Sequence, residues 1–147
     1  MSWLLLVYVF PLAWLLGFLL HEFCHCLEAM RQGSEQCSIK IWKFAAIPSF
    51  FADAEQIKNE GLFKLAGGLY SGLLLLPLAV IGLCTCKVIG FSFLTVSIAN
   101  LVYSVYEYKL LWKIDFELYM IGHYVLYGTV IAGLIILWLL YGGGISV

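Results

Sequence analysis

The sequence predicts an all-α membrane protein with four transmembrane helices and a short β-hairpin or re-entrant segment between the first and second helices. The 147-residue chain is 63% hydrophobic and only 12% charged, whereas a soluble domain is about half apolar. Four largely uncharged runs are each long enough to cross a hydrocarbon core of ~30 Å. A polar segment, residues 31–59, separates the first two runs. The length suits one domain that occupies residues 1–147.

The first span covers about residues 3–30, and a possible metal-binding motif lies near its end. His21 and His25 are separated by one helical turn, so both imidazoles lie on one face of a helix. In metalloproteases, two imidazoles at this spacing bind zinc, and the intervening glutamate, here Glu22, takes the proton of a zinc-activated water. No charged residue precedes His21 in the run, and an ionisable cluster at membrane depth is functional by default. The alternatives are a chance match on a surface helix and two core histidines that cap each other.

The polar segment contains the β-hairpin or re-entrant element. Residues 37–44 alternate between apolar and polar side chains, which is typical of a half-exposed strand. Residues 45–51 are apolar again and include Pro48. Ile39 and Ile41 are candidate substrate-binding residues, because an exposed strand edge aligns an extended peptide by backbone pairing. A plain surface hairpin is the alternative.

The second and fourth spans cover about residues 62–83 and about residues 116–141. The second span carries Gly67, Gly68 and Gly72. Glycines on one face let a neighbouring helix approach closely within a membrane. We therefore expect this face to contact another span.

The third span, about residues 89–108, has one polar face on an otherwise apolar helix. Asn100 and Glu107 lie two helical turns apart on that face. His21 and Glu107 are each about 18 residues from the same membrane surface, so at 1.5 Å per residue they reach the same depth. Glu107 is therefore the predicted third zinc ligand, and Asp115, at the membrane border, is the alternative. Three protein ligands leave one position for water, as catalytic zinc requires.

The basic residues predict the orientation of the chain in the lipid bilayer. With four spans, the segment after the first span and the connection between the third and fourth spans lie on one side. Every basic residue except Lys87 lies there: Arg31, Lys40, Lys43, Lys58, Lys64, Lys109 and Lys113. The positive-inside rule then places both termini outside and the histidine motif near the cytoplasmic face.

The charge of the chain argues against a nucleic acid as a partner, and its cysteine content argues against a disulfide framework. The net charge is -1, and the eight basic residues form no dense patch, so nothing favours a nucleic acid as a partner. The five cysteines are an odd number without zinc-finger spacing, which predicts no disulfide framework. Cys24 and Cys26 flank His25 but point away from its helix face, and we predict that they are packing residues.

In order along the chain, these motifs resemble those of the site-2 protease family of intramembrane zinc metalloproteases. The resemblance covers about residues 10–108 and involves His21-Glu22-x-x-His25, Ala29, Gly33, residues 37–53, residues 65–68 and Asn100-Leu101. The chain departs from the family pattern at two places. The prolines and the Asp-Gly pair that follow the family's asparagine are missing, as are the Pro and Asn that follow its Ala-Gly pair. Glu107 stands one residue before the place of the family's aspartate ligand.

The resemblance implies a peptidase that cleaves transmembrane proteins or peptides inside the bilayer. It implies that His21 and His25 bind zinc and that Glu22 is the general base. It also implies that Asn100 contacts the substrate or the oxyanion. An inactive membrane adaptor of the same fold, which binds helices without cleaving them, is the alternative. The missing proline motif favours the adaptor, whereas the intact Glu22 argues against it. A metal carrier ranks last, because carriers place polar groups along a path rather than at one depth.

Overall fold

The computed structural model describes residues 2–44 and 47–110 and the single positions 128, 132 and 135. The elements, in chain order, are helix α1 (Ser2–Arg31), strands β1 (Cys37–Phe44) and β2 (Ile47–Ala54), and helices α2 (Glu60–Thr85) and α3 (Lys87–Leu110). The described chain is therefore mostly helical, with a small two-stranded hairpin. Apart from the three single positions, the predicted fourth span lies outside the described residues.

Three helices of the described chain are long and apolar enough to cross a membrane: Tyr8–Arg31, Glu60–Thr85 and Lys87–Lys109. Large apolar side chains such as Leu74, Ile81 and Val105 point outward from them. Such an apolar exterior suits a hydrocarbon environment better than water. The first three predicted spans are thus helices with the length and composition of membrane spans.

The hairpin lies between α1 and α2, where the alternating pattern predicts it. β1 pairs with β2 in antiparallel register, with Ile39 opposite Ala52 and Ile41 opposite Phe50. Of the two structures predicted for this segment, the hairpin is confirmed. The alternation of residues 37–44 identified the strand because successive side chains of a strand point to opposite faces.

A disulfide ties the hairpin to the end of α1. It joins Cys26, which follows His25 directly, to Cys37 at the start of β1, with Cα atoms 5.4 Å apart. Gly33, in the left-handed region with φ of 94°, turns the chain back after α1, and this conformation favours glycine. The prediction of no disulfide is therefore wrong, because a cysteine count does not report which cysteines a turn brings together.

Small residues allow α2 and α3 to cross closely. A Cβ at Gly72 would lie 2.6 Å from Leu101 Cγ, and a Cβ at Gly68 would lie 2.8 Å from Ser104 N. Both distances are shorter than the 3.4 Å at which ordinary contact begins. Ser97 Oγ also donates a 2.7 Å hydrogen bond to Gly72 O across the crossing. Gly68 and Gly72, on the glycine face predicted for the second span, therefore pack against the third span, in agreement with the prediction that this face contacts another span.

A polar network joins the last turn of α1 to the first turn of α2. Asn59 N–H donates to Gln32 Oε1 (2.7 Å), and Gln32 Nε2 donates to Asn59 O (3.1 Å). Gln32 Nε2 also donates to Glu28 (2.9 Å), a buried carboxylate that accepts two further hydrogen bonds from Arg31. Asn59 Oδ1 caps α2 by accepting from Leu62 N at 3.0 Å. These bonds fix the two helices where the candidate site lies.

Candidate metal centre

The side chains of His21 and His25 on α1 and of Glu107 on α3 meet in the interior of the helix bundle. His21 Nε2 and His25 Nε2 are 3.1 Å apart. Glu107 Oε2 is 3.3 Å from His21 Nε2 and 3.6 Å from His25 Nε2. All three residues are at least 95% buried. The structure thus brings together the three ligands predicted from the sequence, whereas the alternative ligand Asp115 lies outside the described residues.

The three interatomic distances fit the coordination geometry of a small divalent metal. Zinc lies about 2.0–2.1 Å from its nitrogen and oxygen ligands, so the corners of its tetrahedron are about 3.3 Å apart. The observed separations of 3.1, 3.3 and 3.6 Å scatter around this value. Two imidazole nitrogens and one carboxylate oxygen form the donor set of several catalytic zinc sites. This buried group can therefore bind a metal ion.

The second ring nitrogen of each histidine faces an oxygen atom. His25 Nδ1 is 2.7 Å from the backbone oxygen of Phe63 in the first turn of α2. His21 Nδ1 is 3.2 Å from Asn100 Oδ1 on α3. Because a carbonyl oxygen only accepts, Nδ1 of His25 carries a proton, and Nε2 is the ring nitrogen that faces His21 and Glu107. Such outer hydrogen bonds orient histidine ligands in metal sites.

Gly67 on α2 gives the ring of His25 the space that it needs. A Cβ at this position would lie 2.6 Å from His25 Cδ2 and 2.6 Å from His25 Cε1. The imidazole therefore lies directly against the backbone of α2, one turn after the Phe63 carbonyl that accepts its proton. Ser71 Oγ donates to Gly67 O at 2.6 Å on the same stretch of helix. A side chain at position 67 would push His25 away from Glu107.

Glu22, the predicted general base, is buried between α1 and the hairpin. Its Oε2 accepts a 2.7 Å hydrogen bond from the backbone N–H of Ala52 in β2. Glu22 follows His21 directly in the sequence, and both residues are at least 95% buried. A backbone N–H cannot rotate away as a side chain does, so β2 holds this carboxylate in one orientation.

The remaining predicted site residues lie in two different environments. Ile39 and Ile41 lie on β1 with 40% and 61% of their surfaces exposed. Asn100, in contrast, is 0% exposed, and its amide oxygen faces His21. A role in substrate binding stays a prediction for all three residues.

Sequence reasoning missed two backbone groups of the site, the Phe63 oxygen and the Ala52 N–H. Every residue has such groups, so no residue type in the sequence marks them. Glu28, on the same helix as the two histidines, is a buried carboxylate that accepts hydrogen bonds from Arg31, Gln32 and Tyr70. Glu28 therefore stabilises the helix ends rather than binding metal.

Comparison of this chain with protein-family models, with curated proteins and with solved structures finds no match.

Proposed function

We propose that this chain is a multi-pass membrane zinc metalloendopeptidase of the site-2 protease type, which hydrolyses peptide bonds of transmembrane substrate proteins. The observation that carries the proposal is the buried convergence of His21, His25 and Glu107 on helices that are long and apolar enough to cross a membrane. Glu22, beside His21 in the sequence and buried with it, is the residue that a merely structural metal site would not need.

The residues of the chain divide the chemistry among them. A zinc ion bound by His21, His25 and Glu107 would supply a Lewis acid that polarises the scissile carbonyl and activates water. Glu22 accepts the proton of the attacking water as the water oxygen bonds to the carbonyl carbon, and it passes that proton to the leaving amine as the peptide C–N bond breaks. The Ala52 N–H keeps the Glu22 carboxylate oriented during both transfers. The apolar helices around the site exclude bulk water, which strengthens each electrostatic interaction.

The hairpin supplies the proposed contact with the substrate. A helical peptide bond is hydrogen-bonded and shielded, so the substrate helix must unwind before cleavage. We infer that the unwound segment pairs with β1, where Ile39 and Ile41 are exposed, since extended peptides bind by adding a strand. The distribution of basic residues favours an active site near the cytoplasmic face, with both termini outside.

Elemental analysis of the detergent-purified protein tests the metal site. We expect about one zinc per wild-type chain and almost none in His21→Ala or Glu107→Ala, because each variant removes one of three protein ligands. Phe23→Leu is the matched control, since Phe23 lies inside the motif but is 51% exposed and should retain zinc. A wild-type protein that binds no zinc under metal-replete conditions would refute the proposal.

Cleavage of a model substrate tests the chemistry. Wild-type protein and Glu22→Gln are reconstituted in liposomes with a single-span protein whose membrane helix contains a central Asn-Gly pair, which weakens the helix. We expect Glu22→Gln to retain zinc and to cleave about 10²–10⁴-fold more slowly, because proton transfer contributes about this factor. Equal cleavage by the two proteins would contradict the role of Glu22. Zinc binding without cleavage by the wild type would instead favour the inactive adaptor.

A further inference from the structure

We propose that Asn100 is a positioning residue that fixes the tautomer and the ring orientation of His21. The inference rests on the metal site of the proposed function and assigns Asn100 a role inside the protein rather than at the substrate. The proposal is based on the orientation of the Asn100 amide, which a hydrogen bond to the backbone of α3 fixes.

The orientation of the amide follows from its two neighbours. Asn100 Nδ2 donates a 3.1 Å hydrogen bond to Val96 O. A backbone oxygen only accepts, so the nitrogen end of the amide must face Val96 and the oxygen end must face His21. The flipped amide would bring two oxygens together and would lose the bond to Val96.

The same reasoning then fixes the proton on His21. Its Nδ1 is 3.2 Å from Asn100 Oδ1, and an amide oxygen accepts but does not donate. Nδ1 of His21 therefore carries a proton, and Nε2 is the ring nitrogen that faces His25 Nε2 and Glu107 Oε2, at 3.1 and 3.3 Å. The backbone oxygen of Val96 thus orients the Asn100 amide, and the amide orients the ring of His21.

Close packing holds the Asn100 amide and the His21 ring in place. Asn100 is 0% exposed. A Cβ at Gly17, one turn before His21 on α1, would lie 3.3 Å from Asn100 Nδ2, so glycine at this position lets α1 lie directly against the amide. The ring of Tyr103 lies 5.3 Å from that of His21, between centroids. The oxygen of Asn100 is committed to His21 and is buried, whereas a substrate contact requires an accessible polar atom.

Zinc affinity of the full-length, detergent-purified protein tests the proposal, measured by competition with a chelator. We expect Asn100→Ala to bind zinc about 10–100-fold more weakly than the wild type, the usual effect of removing an outer hydrogen-bond partner of a histidine ligand. Asn100→Asp keeps an oxygen acceptor for His21 Nδ1 but loses the donor to Val96 O, so its zinc affinity should lie between those of Asn100→Ala and the wild type. Because the cavity in Asn100→Ala can impair folding, Asn100→Leu, of similar volume but without an acceptor, provides a second variant.

Ser97→Ala is the matched structural control. Ser97 is also fully buried on α3 and bonds to another helix, through Gly72 O, but it does not contact a ligand. Ser97→Ala should lower the melting temperature without weakening zinc binding by the folded protein. If Ser97→Ala and Asn100→Ala weaken zinc binding equally, the role of Asn100 is general packing and the proposal is wrong.

Nitrogen-15 NMR of histidine-labelled protein reads the tautomer directly. The chain has three histidines, and the His21 signals are identified by their loss in His21→Ala. We expect a protonated Nδ1 on His21, slow to exchange with solvent, in wild type and Asn100→Asp but not in Asn100→Ala or Asn100→Leu. An unchanged His21 signal and an unchanged zinc affinity in the last two variants would overturn the proposal. Spectra of the metal-free protein show the tautomer of His21 whether or not the wild type binds zinc. Absence of zinc binding would refute the proposed function, but it would not affect the test of Asn100.

Discussion

Replacing Gly67 by alanine should remove His25 from the metal site without altering any ligand. The new Cβ would lie 2.6 Å from both Cδ2 and Cε1 of the His25 ring, whereas ordinary contact begins at 3.4 Å. Nε2 of the ring would be closer still to the new Cβ, so the ring must withdraw by more than 0.8 Å, while metal–ligand distances tolerate about 0.2 Å. The ring cannot slide along α2 instead, because its Nδ1 is bound to Phe63 O. We expect a zinc affinity at least 100-fold below that of the wild type.

Gly72→Ala is the matched control for this prediction. Gly72 is on the same helix, and its new Cβ would lie 2.6 Å from Leu101 Cγ, so this variant also overpacks a helix contact. It lies at the crossing of α2 and α3 and does not contact a ligand. Both variants should lower the free energy of unfolding by about 1–3 kcal/mol, the usual cost of overpacking. Only Gly67→Ala should also lose zinc.

The assay is chelator competition at a temperature where both variants remain folded, with circular dichroism as the check on helix content. A folded Gly67→Ala protein that binds zinc as tightly as the wild type would refute the reasoning. It would mean that His25 is not a ligand or that α2 moves away from α1 at no cost. Parallel losses of zinc in Gly67→Ala and Gly72→Ala would instead attribute the effect to general loosening of the bundle.

Two further predictions concern the hairpin and the orientation of the chain. Cys37→Ser should increase hydrogen exchange at the Ala52 amide by up to about 100-fold, as measured by mass spectrometry. The disulfide closes a short loop, and the loss of this constraint costs about 3 kcal/mol. Unchanged exchange would mean that Glu22 alone holds β2. Cys84, exposed at the end of α2 away from the hairpin, should react with a membrane-impermeant maleimide added to intact cells, with a Cys84→Ser, Cys86→Ser double variant as the unlabelled control. Labelling only after permeabilisation would reverse the predicted topology.

Much of the fold and of the site could be predicted from the sequence because both depend on periodic patterns. Apolar runs longer than the hydrocarbon core predicted helices α1, α2 and α3, and the alternation in residues 37–44 predicted β1. Counting residues from the membrane surface was enough to pair His21 with Glu107, since the rise of a helix is constant. Glu107 stood out because a lone carboxylate in an apolar helix requires a partner.

The parts that sequence reasoning missed depend on contacts that no residue type reports. The Cys26–Cys37 disulfide requires knowledge of how the chain turns after α1. The Phe63 oxygen and the Ala52 N–H are backbone groups, so any residue at those positions would provide them. The orientation of the Asn100 amide depends on Val96 O, one turn earlier on the same helix, and on the approach of α1. Each of these follows from three-dimensional packing rather than from spacing.

The disulfide and the basic residues predict different compartments for the side of the membrane that the hairpin faces. Disulfides persist in oxidising compartments and are rare in the cytosol, whereas the basic residues predict that the hairpin end is cytoplasmic. If it faces the cytosol, the Cys26–Cys37 pair exchanges with cellular thiols, and the tether of β2 over Glu22 depends on redox state. If it faces the opposite side, the tether is permanent. Labelling of Cys84 decides between these two cases.

Glycines at the helix crossings let the three candidate metal ligands meet. Gly17 brings α1 against Asn100, Gly67 admits the ring of His25, and Gly68 lets α2 lie on the backbone of α3. Helices in a bilayer associate largely through such van der Waals contacts, because lipid gives them no hydrophobic drive to pack. The small-residue face therefore sets the distance between α1 and α3 on which Glu107 depends. A larger residue at any of these glycines should separate the metal ligands before it unfolds the helices.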